Sequence, residues 1–223
     1  MPMPEPLSPS AVKMTEHEAT YRRLRDMMMH GDLAPGQKVT LQGITASLGA
    51  GMTPVREALR RLTAEGALTL HENRRISVPH LTSSQLQELA FARLALEPRL
   101  AAMAVPHLDA GRIAQLRVLD TDVDTAIQKN DIAGYLAGNY RFHFTLYEAA
   151  KAPVLLSLVH SLWLRFGPSL RLVIEGGGTS GPDRHKDALT AMQMADAEAL
   201  ARAIQADIEQ GIERVQAALD SAI

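Results

Sequence analysis

Cysteine is missing from all 223 residues, which excludes a disulfide framework, a thiolate metal site and a cysteine nucleophile at once. Aromatic residues are scarce, at 4%, and β-branched runs are short, so little of the chain is suited to a sheet. No apolar run approaches the ~20 residues that span a bilayer, which excludes a transmembrane helix. The opening MPMPEPLSPS has neither a basic start nor a hydrophobic stretch and does not read as a secretory signal. These absences make the cytoplasm the expected compartment and leave no role for a membrane. What is present is ordinary for a globular protein, with 46% hydrophobic and 22% charged residues. The length suits one large domain or two small ones.

The net charge of −2 argues at first against a nucleic-acid partner. Its distribution argues the other way. Residues 1–80 hold 10 Lys and Arg against 8 Asp and Glu, whereas residues 81–223 hold 13 against 17. Arg56, Arg60, Arg61, Arg74 and Arg75 crowd into residues 51–80. A basic surface attached to an acidic body suits a DNA reader with a separate sensing domain, although the asymmetry is small.

The chain divides into three parts. Residues 1–14, rich in proline, are expected to be a disordered arm. In residues 15–80 a helix starts at Glu16, with Tyr21, Leu24 and Met28 on one stripe, and ends at Gly31 and the APG of 34–36. A short helix over 41–48 follows, with Thr40 as N-cap, then the turn Gly49-Ala50-Gly51. The next helix is expected to start with Thr53 as N-cap and Pro54 at the first helical position, and to close at Gly66. Residues 68–71 and 75–78 alternate apolar and polar around a turn near Asn73, which reads as a hairpin. The sum is a winged helix-turn-helix. Residues 81–223 carry helical patterns at 83–105, 109–129, 131–150, 153–173, 182–194 and 196–221, so the fold class is mainly α: a winged helix-turn-helix followed by an all-helical bundle.

DNA reading needs a helix whose first residues reach base edges while flanking cations grip phosphate. Thr53, Arg56, Arg60 and Arg61 on the second helix, with Asn73, Arg74 and Arg75 at the hairpin, form that set. Any one Arg pair is more often a solvated helix face; the ordered combination with a basic hairpin reverses this and favours DNA. TPVREALRRLTAEG, the APGQKV before it and the hairpin after it resemble the GntR-type bacterial transcription regulators over residues 16–80. Met52 stands where that family commonly has arginine, and Gln42 is a weak phosphate ligand, so the resemblance does not extend to an operator sequence.

FARLALEPRLAA, NYRFHFTLYEAAKAPVLLSLV and RHKDALTAMQMADAEALARAIQAD resemble the FCD effector domain of the FadR subfamily over residues 83–220. The resemblance implies a divalent metal that helps bind an organic acid. Its ligands, carried over by position, are Asn139, His143, His185 and, in place of a third histidine, Asp207. Spacing supports the cluster: Asn139 and His143 share a helix face, and Asp196, a turn residue, lies eleven positions from both His185 and Asp207. Two imidazoles, a carboxylate and an amide suit Zn, Ni, Fe or Mn. The bland alternative is a set of hydrogen-bonded core histidines. Arg93 is a candidate for an anionic effector, or equally for a structural salt bridge.

The expected function is a ligand-responsive repressor that binds a palindromic double-stranded DNA operator as a homodimer and answers to a small carboxylate. A metal-free sensor of a larger ligand such as an acyl-CoA is the alternative within the family. A metal-dependent enzyme is remote, since there is no HExxH and no acid or base beside the cluster. The GGGTSGPD stretch lacks a phosphate-loop Lys-Ser/Thr and reads as a connection, Met27-Met28-Met29 reads as helix packing, and His17, His107 and His160 have no partners at useful spacing.

Overall fold

The computed structural model describes residues 14–175 and 183–221. The expected N-terminal arm, apart from Met14, and nearly all of the GGGTSGPD connection lie outside the described residues.

Helix α1 (Glu16–Met29) begins where the Thr15 hydroxyl accepts from the Glu18 N–H, and it buries Tyr21, Leu24, Met28 and Met29. It ends before Gly31, whose φ of 78° is left-handed and whose Cα faces Leu136 so closely that a Cβ would collide with it. Both demands select glycine. Strand β1 (Lys38–Val39) then leads to α2 (Leu41–Leu48), capped by Thr40 as expected. Helix α3 (Met52–Ala64) buries Val55, Ala58, Leu59 and Leu62 against α1 and α2. Each such side chain contributes about 1.5–3 kcal/mol by leaving water.

Helix α3 starts earlier than the sequence suggests. Gly51, in extended conformation, is the N-cap, and Thr53 lies inside the first turn. Pro54 is tolerated there because the first-turn N–H groups have no intrahelical acceptor. The hairpin is present as β2 (Thr69–Leu70) and β3 (Ile76–Ser77), but it is not alone. Strand β1 pairs with β3, Lys38 opposite Ser77 and Val39 opposite Ile76, giving a three-stranded sheet of order β1-β3-β2. A two-residue strand carries too little alternation to be seen in sequence.

The remaining elements are helical: α4 (Ser83–Ala104), α5 (Ala110–Gln128), α6 (Ile132–Glu148), α7 (Pro153–Phe166), α8 (Arg171–Glu175), α9 (Arg184–Gln193) and α10 (Ala197–Ser221). Thr82 and Gln85 form a capping box on α4. Helix α10 packs along α4 and α9, and α5 along α6, around Trp163, Tyr147, Phe142 and Phe166, all fully buried. The single helix expected over 153–173 is broken. Residues Gly167–Leu170 form a 3-10 turn between α7 and α8, because Pro168 has no N–H to return to the preceding turn. No described helix is long and apolar enough to cross a membrane.

The winged helix-turn-helix is seated on the bundle through α1, which packs on α6, α7 and the turn before α8. Arg165 Nε donates to the Glu65 carbonyl (2.9 Å) just past α3, Arg171 Nη1 to the Gly31 carbonyl (3.2 Å), and Leu136 of α6 abuts Gly31.

Candidate functional site

Between α3 and the sheet lies a cleft of about 740 Å³. Lys38, Arg56, Arg60, Arg74 and Arg75 line it over an apolar floor that includes Leu59, Leu70 and Ile76, and no acidic side chain is among its lining residues. Arg60 is 76% exposed and paired with Glu57 (3.1 Å), a surface pair of the kind a phosphate displaces at little cost. Arg74 holds the wing tip with φ of 60°, and Asn73 Oδ1 accepts from the Arg75 N–H (3.1 Å). The backbone of the tip thus turns both arginines toward the cleft. Thr53 is exposed at the start of α3, beside Met52.

Arg61 is a correction to the expected DNA set. It points away from the cleft, donates to Glu18 (3.0 Å) and Glu65 (3.0 Å), and lies 3.6 Å over the Tyr21 ring. One position separates it from Arg60, and 100° of helix rotation puts it on the α1 side. Lys38 and Thr40 are cleft residues that the sequence reading missed; they sit on and after the unrecognised β1.

The second site lies within the bundle. Helix α6 supplies Asn139 and His143, α9 supplies His185 and α10 supplies Asp207. Ligand atoms of His143, His185 and Asp207 all lie within 4.8 Å of one another. His143 Nε2 is 3.1 Å from Asp207 Oδ2 and is buried without a hydrogen-bond partner. His185 stacks on Phe142 (3.9 Å between centroids) and its Nδ1 is 3.3 Å from Asp120 Oδ1. An orphaned imidazole nitrogen facing a carboxylate, with a second imidazole oriented by another carboxylate, is a donor set that suits a divalent cation. Asn139 borders the same space: a cavity of about 200 Å³ lined by Tyr135, Asn139, His185, Asp207, Gln210 and Arg214 among others.

Burial lowers the pKa of His143 and outweighs the raising effect of Asp207, so this ring favours neutrality. Burial acts the same way on His185, but Asp120, Asp207 and Asp183 outweigh it and its pKa is raised. Asp207 is pushed up by burial and held down more strongly by His143, His185 and Arg93, so it stays ionised.

Arg93 is buried, and its Nε (2.5 Å) and Nη2 (3.3 Å) both donate to Glu97. It borders the small space next to His143 and Asp207, but as the cation of a buried pair. Asp120, Glu97 and Tyr147 are site residues that sequence reasoning missed. Their partners are 65, 50 and 4 positions away, and only the last spacing carries a helical signal. His160, expected to stand alone, stacks on Phe144 (4.1 Å) and faces Tyr140. A second acidic group, Asp120, Asp124 and Asp183, can also approach a cation, but Lys186 already provides one, bonded to Asp124 (2.8 Å) and to Asp183.

Comparisons with known proteins identify both parts of the chain. Residues 16–78 match the family of bacterial regulatory proteins called the gntR family, and residues 88–210 match the FCD domain. The HTH-type transcriptional regulator McbR of Escherichia coli K12 is 32% identical over 152 residues, which are 68% of this chain and 69% of McbR. The HTH-type transcriptional repressor RspR of the same organism is 22% identical over 204 residues, 90% of this chain and 89% of RspR. The solved structure of E. coli McbR/YncC superposes with a TM-score of 0.82 at 26% identity, covering 92% of this chain and 99% of that one. A putative GntR regulator from Rhodococcus sp. RHA1 shares the fold, with a TM-score of 0.73 at 20% identity over 92% and 99% of the two chains.

Proposed function

From the premise that this chain belongs to the GntR family of bacterial regulators and carries an FCD domain, we propose that it is a homodimeric repressor whose helical domain binds a small carboxylate at a divalent metal. That it is a DNA-binding transcription regulator and not an enzyme follows from the family and from its relatives. The observation that carries the rest is the group of buried His143 and His185 with half-buried Asp207 beside a cavity of about 200 Å³.

The reading assigns the metal to His143, His185 and Asp207, with Asn139 as a fourth, weaker partner. The ion is zinc, nickel, iron or manganese, since imidazole and carboxylate donors suit these. When bound it supplies a positive charge with open positions for an anionic oxygen. The cavity falls below the range of about 300–1,000 Å³ that holds drug-sized ligands, which favours a carboxylate of few atoms over an acyl-CoA.

DNA is assigned to the cationic cleft, with Arg56, Arg60, Arg74 and Arg75 as contacts, Lys38 beside them, and Thr53 and Asn73 at its margins. One winged helix reads a half-site, so a palindromic operator and a second copy of the chain belong to the same proposal. The site of action is the bacterial cytoplasm, where the operator lies. An effector acts by shifting α6, which bears Asn139 and His143 and also Leu136 against Gly31 at the base of the DNA-binding head. Elemental analysis of protein purified without chelators tests the metal: about one divalent ion per chain is expected. No ion, together with a Tm unmoved by added zinc or nickel, overturns it and leaves a core of hydrogen-bonded histidines.

A further inference from the structure

Tyr147 lies one turn after His143 on α6 and is fully buried. Its hydroxyl stands between two partners: His143 Nδ1 at 3.0 Å and Glu97 Oε2 at 2.8 Å. A phenol has one proton to give. Glu97, also fully buried, already collects N–H groups from Arg93 on both oxygens and from Trp163 Nε1 (3.0 Å) on Oε2. A carboxylate so placed accepts and does not donate. The phenolic proton therefore goes to Glu97, and the bond between Tyr147 and His143 is donated by the imidazole Nδ1–H. The opposite arrangement would set the phenolic oxygen and Glu97 Oε2 against each other as two bare acceptors in a dry interior, which is costly. Burial and the Glu97 charge also hold the Tyr147 pKa well above that of a free phenol, so the proton is not lost.

A neutral imidazole protonated on Nδ1 has a bare lone pair on Nε2. In His143 that nitrogen is the buried atom without a hydrogen bond, 3.1 Å from Asp207 Oδ2. We infer that the chain Arg93–Glu97–Tyr147 locks His143 in the Nδ1–H tautomer and so aims its Nε2 lone pair at the space shared with His185 and Asp207. Arg93, Glu97 and Tyr147 are positioning residues for the metal-binding imidazole. The inference rests on the proposed metal, since without a cation the bare Nε2 would face the Asp207 carboxylate at 3.1 Å as a second acceptor. It also gives Arg93 its role: the guanidinium keeps Glu97 an acceptor, and it lies 4.7 and 4.2 Å over the Trp163 and Phe166 rings that wall it in.

The test is long-range 1H–15N NMR of the zinc-loaded full chain, with His143→Gln to assign the signals, paired with zinc titration of wild type and Tyr147→Phe. The wild-type His143 is expected to hold zinc through Nε2 and to keep its proton on Nδ1, and Tyr147→Phe should weaken zinc binding by about 10–100-fold, as loss of an orienting partner does elsewhere. Zinc on Nδ1 of His143, or a Tyr147→Phe protein unchanged in zinc affinity, overturns the inference and leaves the metal proposal standing. A wild type that binds no zinc overturns the metal proposal, and with it the role given to these three residues. Should Tyr147→Phe not fold, the nitrogen that carries the proton in the zinc-loaded wild type decides alone.

Discussion

His143 and His185 have pKa values shifted in opposite directions although their ring centroids are 5.2 Å apart. Protonated His185 stabilises the metal-free fold fully below its unfolded pKa of about 6.5, and this contribution fades as pH rises through the raised folded value. His143 acts in the other sense. Kept neutral by burial, it costs stability as pH falls below about 6.5, where the unfolded imidazole takes a proton that the folded one refuses. Zinc needs both rings unprotonated. The zinc-induced rise in Tm is therefore expected to be small well below about pH 6.5 and to grow as pH is raised past it, which melting curves across pH will check. At zinc 100-fold above Kd the gain should be about 2.7 kcal/mol. His185→Ala should abolish it, whereas Asp207→His should keep or tighten zinc binding, since a third imidazole is as good a donor as the carboxylate it replaces. At the DNA cleft, Arg56→Ala should cost roughly 1–3 kcal/mol of operator binding in anisotropy titrations if Arg56 reads a base; an unchanged affinity would remove Arg56 from the contact set.

At the scale of elements, helix α3 carries the clearest test. Met52 is its first residue and half exposed, so Met52→Arg places a guanidinium at the mouth of the DNA face. Operator affinity should rise, because the new cation reaches phosphate or guanine, while Tm falls slightly, since a cation at a helix N-terminus opposes the dipole by about 0.3–1 kcal/mol. Weaker binding to all DNA would show that this helix start does not face the duplex. The elements also show what a sequence can and cannot reveal. The helix spans were legible, as was Thr40 as a cap; Thr15, Asp109, Asp131 and Asp183, not read as caps in the sequence, accept from a first-turn N–H in the same way. The start of α3 was misjudged because Thr53-Pro54 mimics a cap signal, whereas Gly51 supplies the extended backbone. Arg61 does not line the cleft because α3 turns it to the α1 side, onto Glu18, Glu65 and Tyr21. The histidine pair and Asp207 were legible through the resemblance to the FCD domain, with helical spacing and the turn at Asp196 in support. Asp120 and Glu97 were not, because no local pattern ties them to helices that meet them only in the folded bundle.

At the scale of the molecule, two sites of different chemistry are joined where α1 packs on α6 and α7, with Gly31, Glu65, Leu136, Arg165 and Arg171 at the contact. Two heads on one operator should give a steep salt dependence, with each neutralised phosphate adding about −0.9 to the slope of log K against log salt. A slope near that of a single contact would argue against the doubled cleft. The account as a whole turns on whether the inner site governs the outer one, and one measurement addresses this most directly. A labelled inverted repeat from the DNA flanking the gene is titrated with zinc-loaded protein, with and without small carboxylates of a few carbon atoms, for wild type and His185→Ala. The account expects at least one carboxylate to shift wild-type affinity by roughly 5–150-fold, the usual span of coupling between sites, and His185→Ala to bind the same DNA without that shift. An identical shift in His185→Ala, or no response of the zinc-loaded wild type to any of them, would contradict it.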